Sequence, residues 1–345
     1  MDFNRELEKR FTKKEAAKLD SKFRRAPKRI LIKKTGKLPP NSAKGVVVAA
    51  MGKAFIVEDG ATGALIECSV AGAVISENDI TSLIAVGDKI HYLQGIQAGT
   101  DEITGSIVKV EPRDTILSRK AIYIHGEHVV AANCENLLIL MSAAEPFYNK
   151  RLIDRFIVSA EQGEMKPAIC VNKIDLMDRQ FVSEDLAAYY KLGIPVFFTC
   201  AITNEGIGLL SEFLKDKAVV VSGPSGAGKS SVINSLIGYD AQIVKDVSGS
   251  SGKGMHTTSH VRMFRLPEGG SIVDTPGIRE FGIIRMEKAQ LALYFHDFDD
   301  YYDKCRFMPC SHTHEPGCAV KEAVENGGID PERYISYVNM YDSIE

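Results

Sequence analysis

The run Gly223-Pro-Ser-Gly-Ala-Gly-Lys-Ser230 has the spacing of a phosphate-binding loop, and Asn172-Lys-Ile-Asp175 has that of a guanine reader. Their order constrains the fold more than either motif alone, because the guanine reader stands about fifty residues before the phosphate loop. In the ordinary arrangement the phosphate loop opens the domain and the guanine reader comes near its end. The chain therefore predicts a nucleotide-binding α/β domain whose strands are cyclically re-ordered. Such a permutation is tolerable because chain termini often lie close together at the surface.

The surrounding pattern supports that layout. Residues 137–141, 168–171, 196–199, 219–222 and 271–273 are continuous apolar runs, as expected of parallel strands buried on both faces. Residues 151–161 and 206–214 read as helices between them. In a doubly wound sheet, ligands bind beyond the carboxyl ends of the strands, and both motifs directly follow one.

Each motif has a chemistry. The residues Gly223, Pro224, Ser225, Gly226, Ala227, Gly228, Lys229, Ser230 and Ser231 are expected to wrap phosphates, with successive backbone N–H groups aimed at the oxygens. Lys229 reaches the β and γ phosphates and the Ser230 hydroxyl ligates Mg²⁺. The Asp175 carboxylate accepts from guanine N1–H and its exocyclic amine, which adenine cannot match. Asn172 meets the acceptor edge, the Lys173 stem covers the ring, and Ile174 completes the turn. Cys200 and Ala201 follow a predicted strand and are placed to offer a backbone N–H to the guanine oxygen, or simply to pack. In Asp274-Thr-Pro-Gly277, Asp274 would hold Mg²⁺ through water and the Gly277 N–H would face the γ-phosphate. Residues 248–259 have the composition of a switch loop, in which Thr257 or Thr258 would bind Mg²⁺ and γ-phosphate. Ile278 stands where many GTPases carry a water-orienting glutamine, so unassisted hydrolysis should be slow. His256 is the best substitute, and its place in a loop predicts that turnover needs a partner to position it.

The rest of the chain is read in three parts. Residues 1–44 hold 15 Lys or Arg against 5 Asp or Glu, a net of +10, while the remainder holds 27 against 40, a net of −13. The basic arm is expected to be disordered until it meets a polyanion, nucleic acid being the commonest. Between Pro40 and Asp114, five short β-rich runs punctuated by Gly, Asp and Asn suggest a small closed barrel, either an OB-fold or an SH3-like barrel. Near the C-terminus, Cys305-x₄-Cys310-x-His312-x₅-Cys318 offers three thiolates and an imidazole to a closed structural Zn²⁺ site, with His314 as a competing ligand. The acidic-aromatic run from Asp297 to Asp303 reads as a solvated approach segment, and residues 330–343 as a final helix. The seven cysteines are expected to be reduced. Since no run nears the roughly 20 apolar residues of a membrane span, a soluble, cytoplasmic, monomeric protein is expected.

The sequence resembles the RsgA family of small-ribosomal-subunit biogenesis GTPases from Gly45 to its end. The resemblance rests on the motif order, Ala131-Ala-Asn133, the phosphate loop through Ser231, the run ending in Met255-His-Thr-Thr258, and Cys310-Ser-His-Thr-His-Glu-Pro-Gly-Cys318. It implies an OB-fold, a permuted GTPase domain using GTP/GDP and Mg²⁺, and a zinc finger bearing on ribosomal RNA. It also implies hydrolysis stimulated by the small subunit during late maturation, and it favours His312 over His314 as zinc ligand. The expected divisions are a basic arm at 1–40, an OB-fold at 41–113, a permuted GTPase domain at 114–285, and a zinc-binding helical unit at 286–345. The long basic arm and Glu135, where the family often has Asp, depart from the pattern. Two rival readings remain: an RNA-binding assembly factor clamped by nucleotide without stimulated turnover, and a permuted GTPase acting on another RNA.

Overall fold

The computed structural model describes residues 3–7, 31–33, 36–52, 54–76, 83–96, 103–120, 127–238, 261–275 and 286–344. The predicted barrel is present and closed. Strands β2 (Ala43–Met51), β3 (Ala54–Asp59), β4 (Leu65–Ser76), β5 (Lys89–Ile96) and β6 (Ile103–Val110) pair in the ring β2-β3-β4-β6-β5 and back to β2. Only the β4–β6 pair of that ring is parallel, which is the OB-fold solution and settles the choice against an SH3-like barrel. Inward residues Val47, Val57, Ile66, Ile90, Tyr92 and Ile107 fill the ring. Buried Tyr92 donates its hydroxyl to Asp59 at 2.5 Å, satisfying a polar tip inside an apolar barrel.

The α/β domain follows a hairpin that the sequence reading did not separate, β7 (Ile116–Lys120) with β8 (Glu127–Ala132). Its strands are β9 (Asn136–Ser142), β10 (Lys166–Asn172), β11 (Val196–Phe198), β12 (Ala218–Ser222), β13 (Arg262–Arg265) and β14 (Ser271–Asp274). In space they run β13-β14-β12-β9-β10-β11, all parallel except β13. The phosphate-loop strand β12 thus lies central although it is fourth of the six along the chain, the geometric content of the permutation. Helices Lys150–Gln162 and Ile207–Leu214 match the predicted ones, whereas the polar helix Arg179–Asp185 gave no periodic signal.

Barrel and α/β domain are continuous. Strand β13 also pairs with β2 at Arg262↔Ala49, joining both into one 12-stranded sheet. The junction is locked by Arg113, which grips Asp88 through Nε at 2.7 Å and Nη2 at 2.8 Å, with both side chains buried. Asn133, in the left-handed region at φ 55°, donates to the Gly87 carbonyl at 3.0 Å and accepts from the Asp114 N–H at 2.9 Å.

The expected free basic arm is corrected at both described ends. β1 (Leu31–Lys33) pairs with β4 at the barrel edge. Residues 3–7 form a helical turn in which Asn4 donates to the Arg265 carbonyl and accepts from its N–H, both at 2.9 Å, while Leu7 is buried in the core shared by barrel and α/β domain. Replacing Leu7 by Ala should cost about 2–4 kcal/mol, because a buried leucine loses its transfer energy and leaves a cavity. The check is urea unfolding, where a midpoint equal to wild type would mean that Leu7 is dispensable.

The C-terminal unit has its own core of Met286, Leu291, Phe295, Phe298, Tyr337 and Met340, joined by Val158 from helix Lys150–Gln162. Helix Pro331–Ser343, capped by Asp330, packs beside it. The run 297–303 is not simply solvated. Phe298 is fully buried, and Asp297 binds buried Arg333, which also reaches Asp154 of the α/β domain at 2.6 Å. Tyr189 donates to the same Asp154 oxygen at 2.8 Å. No helix among the described residues is long and apolar enough to cross a membrane.

Candidate nucleotide site and metal centre

Beyond the carboxyl ends of β9, β10 and β12 the two motifs meet. Three glycines make the phosphate loop possible. Gly223, Gly226 and Gly228 have φ of 157°, 86° and 85°, and a Cβ on Gly223 would lie 1.9 Å from the Leu140 carbonyl oxygen. Helix Lys229–Ile237 starts immediately after Gly228, so its positive end points across the loop. Lys229 Nζ donates to the carbonyls of Gly223 at 2.7 Å and Pro224 at 2.8 Å, which holds the ammonium over the loop. Ala227 is buried, whereas Ser225, Gly226 and Ser231 are exposed and Pro224 and Ser230 half-buried.

Asn172 ends β10 and is 2 % exposed, and its amide bonds to the protein through its oxygen and one N–H. Nδ2 donates to the Ala227 carbonyl at 3.1 Å, and Oδ1 accepts from the Ala201 N–H at 3.2 Å and the Thr199 hydroxyl at 3.3 Å. One side chain therefore ties the guanine motif, the phosphate loop and the 200–201 turn together, a bracing role beyond the base contact expected of it. Sequence reasoning had no signal for that, because the partners lie 27 to 55 residues away. The Cys200 N–H donates to the Glu205 carbonyl at 3.0 Å. Both backbone N–H groups of the 200–201 turn therefore have partners within the protein.

Lys173 adopts φ 59° and donates to the Glu145 carbonyl at 2.6 Å. The turn drives Ile174 into the core, pinned by its N–H to the Thr199 carbonyl at 3.1 Å, and leaves Asp175 exposed. Asp274 ends β14 beside Val221 of β12, whose chain runs on through the phosphate loop to Ser230 at the start of the next helix, and a carboxylate with a hydroxyl is the kind of oxygen donor Mg²⁺ takes. Thr275 donates to the Val221 carbonyl at 2.9 Å and fixes that end of the strand. His256, Thr257, Thr258, Gly277 and Ile278 lie outside the described residues.

The metal centre fits its predicted donor set. The Sγ atoms of Cys305, Cys310 and Cys318 and a ring nitrogen of His312 all lie within 4.8 Å of one another. Cys305 and Cys318 sulfurs are 3.8 Å apart, and each is 3.5 Å from His312 Nδ1. Tetrahedral Zn–S bonds of about 2.3 Å require sulfurs about 3.8 Å apart, so the cage has the size of Zn²⁺. Burial, with neighbouring thiols adding, pushes the Cys310 thiol up to about 12, and a central cation would reverse that by stabilising thiolates. His314 is solvent-exposed and hydrogen-bonded to Thr313, so the competition resolves to His312. Tyr334 and Tyr337 hold the ligand loop by donating to the carbonyls of His312 at 2.9 Å and Ser311 at 2.8 Å.

Comparison with known proteins gives one consistent answer. A model of the RsgA GTPase family matches residues 110–284. The small ribosomal subunit biogenesis GTPase RsgA of Chlorobaculum parvum is 40 % identical over 306 residues, covering 87 % of this chain and 98 % of that protein. The protein of the same name from Klebsiella pneumoniae is 34 % identical over 310 residues, covering 88 % and 85 %. Among solved structures, YjeQ from Thermotoga maritima superposes with a TM-score of 0.66 at 33 % identity, over 88 % of this chain and 98 % of that one. YloQ, described as a circularly permuted GTPase, gives 0.64 at 26 % identity, over 90 % and 97 %.

Proposed function

The chain belongs to the RsgA GTPase family, and from that premise we propose that it hydrolyses GTP during late maturation of the small ribosomal subunit, with the subunit stimulating turnover. The observation that carries this reading is the Asn172 brace, which joins guanine reader and phosphate loop into one site despite their inverted order. In it, Asp175 reads guanine, the Lys173 stem covers the base, and Ala201 offers its N–H to the base oxygen. The loop from Gly223 to Ser231 and Lys229 hold the phosphates. Ser230, Asp274 and Thr257 or Thr258 hold Mg²⁺, which when bound neutralises charge on the β and γ phosphates. The Gly277 N–H faces the γ-phosphate and His256 orients the attacking water. Cys305, Cys310, His312 and Cys318 hold one structural Zn²⁺, and the barrel and finger meet ribosomal RNA. We place the divisions near residues 40, 113 and 285, in a monomer working in the cytoplasm.

The test is GTP turnover by the protein alone, with small subunits, and with large subunits. The expected result is an intrinsic rate on the order of 10⁻² s⁻¹ or below, rising many-fold only with small subunits and losing that rise in His256→Ala. Ile278 favours one rival, the assembly factor that uses GTP only as a clamp. A rate that stays flat under every addition would select that rival.

A further inference from the structure

Ser235 lies in the last turns of helix Lys229–Ile237, which opens directly after the phosphate loop. A serine inside a helix usually turns its hydroxyl to water or to the carbonyl four residues back. That of Ser235 leaves the helix instead and donates to the Ala201 carbonyl at 3.3 Å. The Ala201 N–H donates in turn to Asn172 Oδ1 at 3.2 Å. The two peptides that flank the Ala201 Cα are therefore tethered separately, the preceding one through its N–H and the following one through its C=O.

Burial does not hold this turn. Ala201 packs at the edge of the core around Val232, Ile233 and Leu236, but residues 202–205 are exposed, Ile202 at 88 %, until Ile207 returns to that core. The Cys200 N–H and the Glu205 carbonyl close the turn on itself, which fixes its shape and not its place. Placement falls to the Ala201 tethers, and both lead to the phosphate loop. Asn172 donates to the Ala227 carbonyl within that loop, and Ser235 stands about 9 Å along the helix axis from Lys229, at a rise of about 1.5 Å per residue. A nucleotide joins base and phosphates through one ribose, so a turn that meets the base must keep its distance from the loop that holds the phosphates.

We propose that Ser235 is a positioning residue for the base: its hydroxyl fixes the turn so that the Ala201 N–H, shared with Asn172 as a three-centre bond, meets the 6-oxygen of guanine. The inference rests on the reading of Ala201 as donor to the base oxygen. The test is competition binding of GTP and 6-thio-GTP to the full chain, as wild type, Ser235→Ala and Ser235→Thr. The thio analogue keeps both donors that Asp175 reads and differs only at the atom that the Ala201 N–H meets, where sulfur is the weaker acceptor.

Wild type should prefer GTP. Ser235→Ala should lose about five-fold in affinity for GTP with 6-thio-GTP nearly unchanged, so that the preference shrinks. Alanine is the better helix former, so the fold is not at risk. Ser235→Thr keeps the hydroxyl and should keep the wild-type preference. Equal losses for both nucleotides in Ser235→Ala would make the residue a merely structural one and overturn the proposal. A threonine variant as impaired as the alanine one overturns it too, because the hydroxyl is then not the cause. A wild type that binds both nucleotides equally removes the reading of Ala201 and the proposal with it, whereas a preference that survives intact in Ser235→Ala removes the proposal alone.

Discussion

Stripping the metal with a strong chelator, or replacing Cys318 by Ser, is expected to unfold residues 286–344 and leave the α/β sheet intact. The unit's regular structure is three 3₁₀ segments and the helices Ala319–Glu325 and Pro331–Ser343, joined by long irregular stretches. Its core counts Cys305 and Cys318 among its own buried members, so the ligand cage is part of the packing. Structural Zn²⁺ contributes an apparent 10–16 kcal/mol in small metal domains, roughly the whole stability of a domain. Without the cation the cage reverts to buried thiols in mutual contact, which supply nothing comparable. Metal analysis should find one Zn²⁺ per chain, and amide exchange should show loss of protection confined to 286–344 after chelation. Retained protection would mean that the unit is held by its other anchor, buried Arg333 between Asp154 and Asp297. That ion pair is expensive to break, because either carboxylate would stay buried and unpaired.

These two anchors also mark where the sequence could be read and where it could not. The cage was legible because ligand spacing is local: Cys305 to Cys318 spans a single loop, and the exposure of His314 only removed a rival. The parallel strands were legible because burial on both faces writes itself as an unbroken apolar run, as in Leu137 to Met141. Arg333 and Asp154 lie 179 residues apart, and nothing near either announces the other. Strand β13 was missed because Arg262 and Arg265 bracket only two apolar residues, too short a run to outweigh the charges. The docking of Asn4 and Leu7 was hidden for a similar reason. A buried leucine amid charged residues carries no period, so composition read the whole arm as free, while tertiary contacts with Arg265 decided its end. The acidic-aromatic run misled in the same way, since only its partner Arg333 turns Asp297 inward.

Exchanging Asp175 for Asn should move nucleotide preference from GTP to xanthosine triphosphate. Guanine presents two donors in a row, N1–H and the exocyclic amine, and only a carboxylate accepts from both. An Asn side chain in the same place offers one acceptor and one donor group, so one guanine hydrogen would face an N–H. Hydrogen bonds to a charged group contribute about 1.5–3 kcal/mol each, so losing one weakens GTP binding by about 10–10²-fold. Xanthine has a carbonyl in place of the amine and would accept from the new amide. The turn built from Lys173 at φ 59° and buried Ile174 does not depend on the Asp175 side chain, so the fold should be indifferent to the change. Asn172→Ala is the opposite case. Its amide holds Ala227 and Ala201 in place, so its loss should weaken both nucleotides alike. Competition binding of the two triphosphates to both variants separates the roles: a switch in Asp175→Asn with a uniform loss in Asn172→Ala makes Asp175 the reader and Asn172 the brace. Unchanged GTP affinity in Asp175→Asn would mean that the base is read elsewhere.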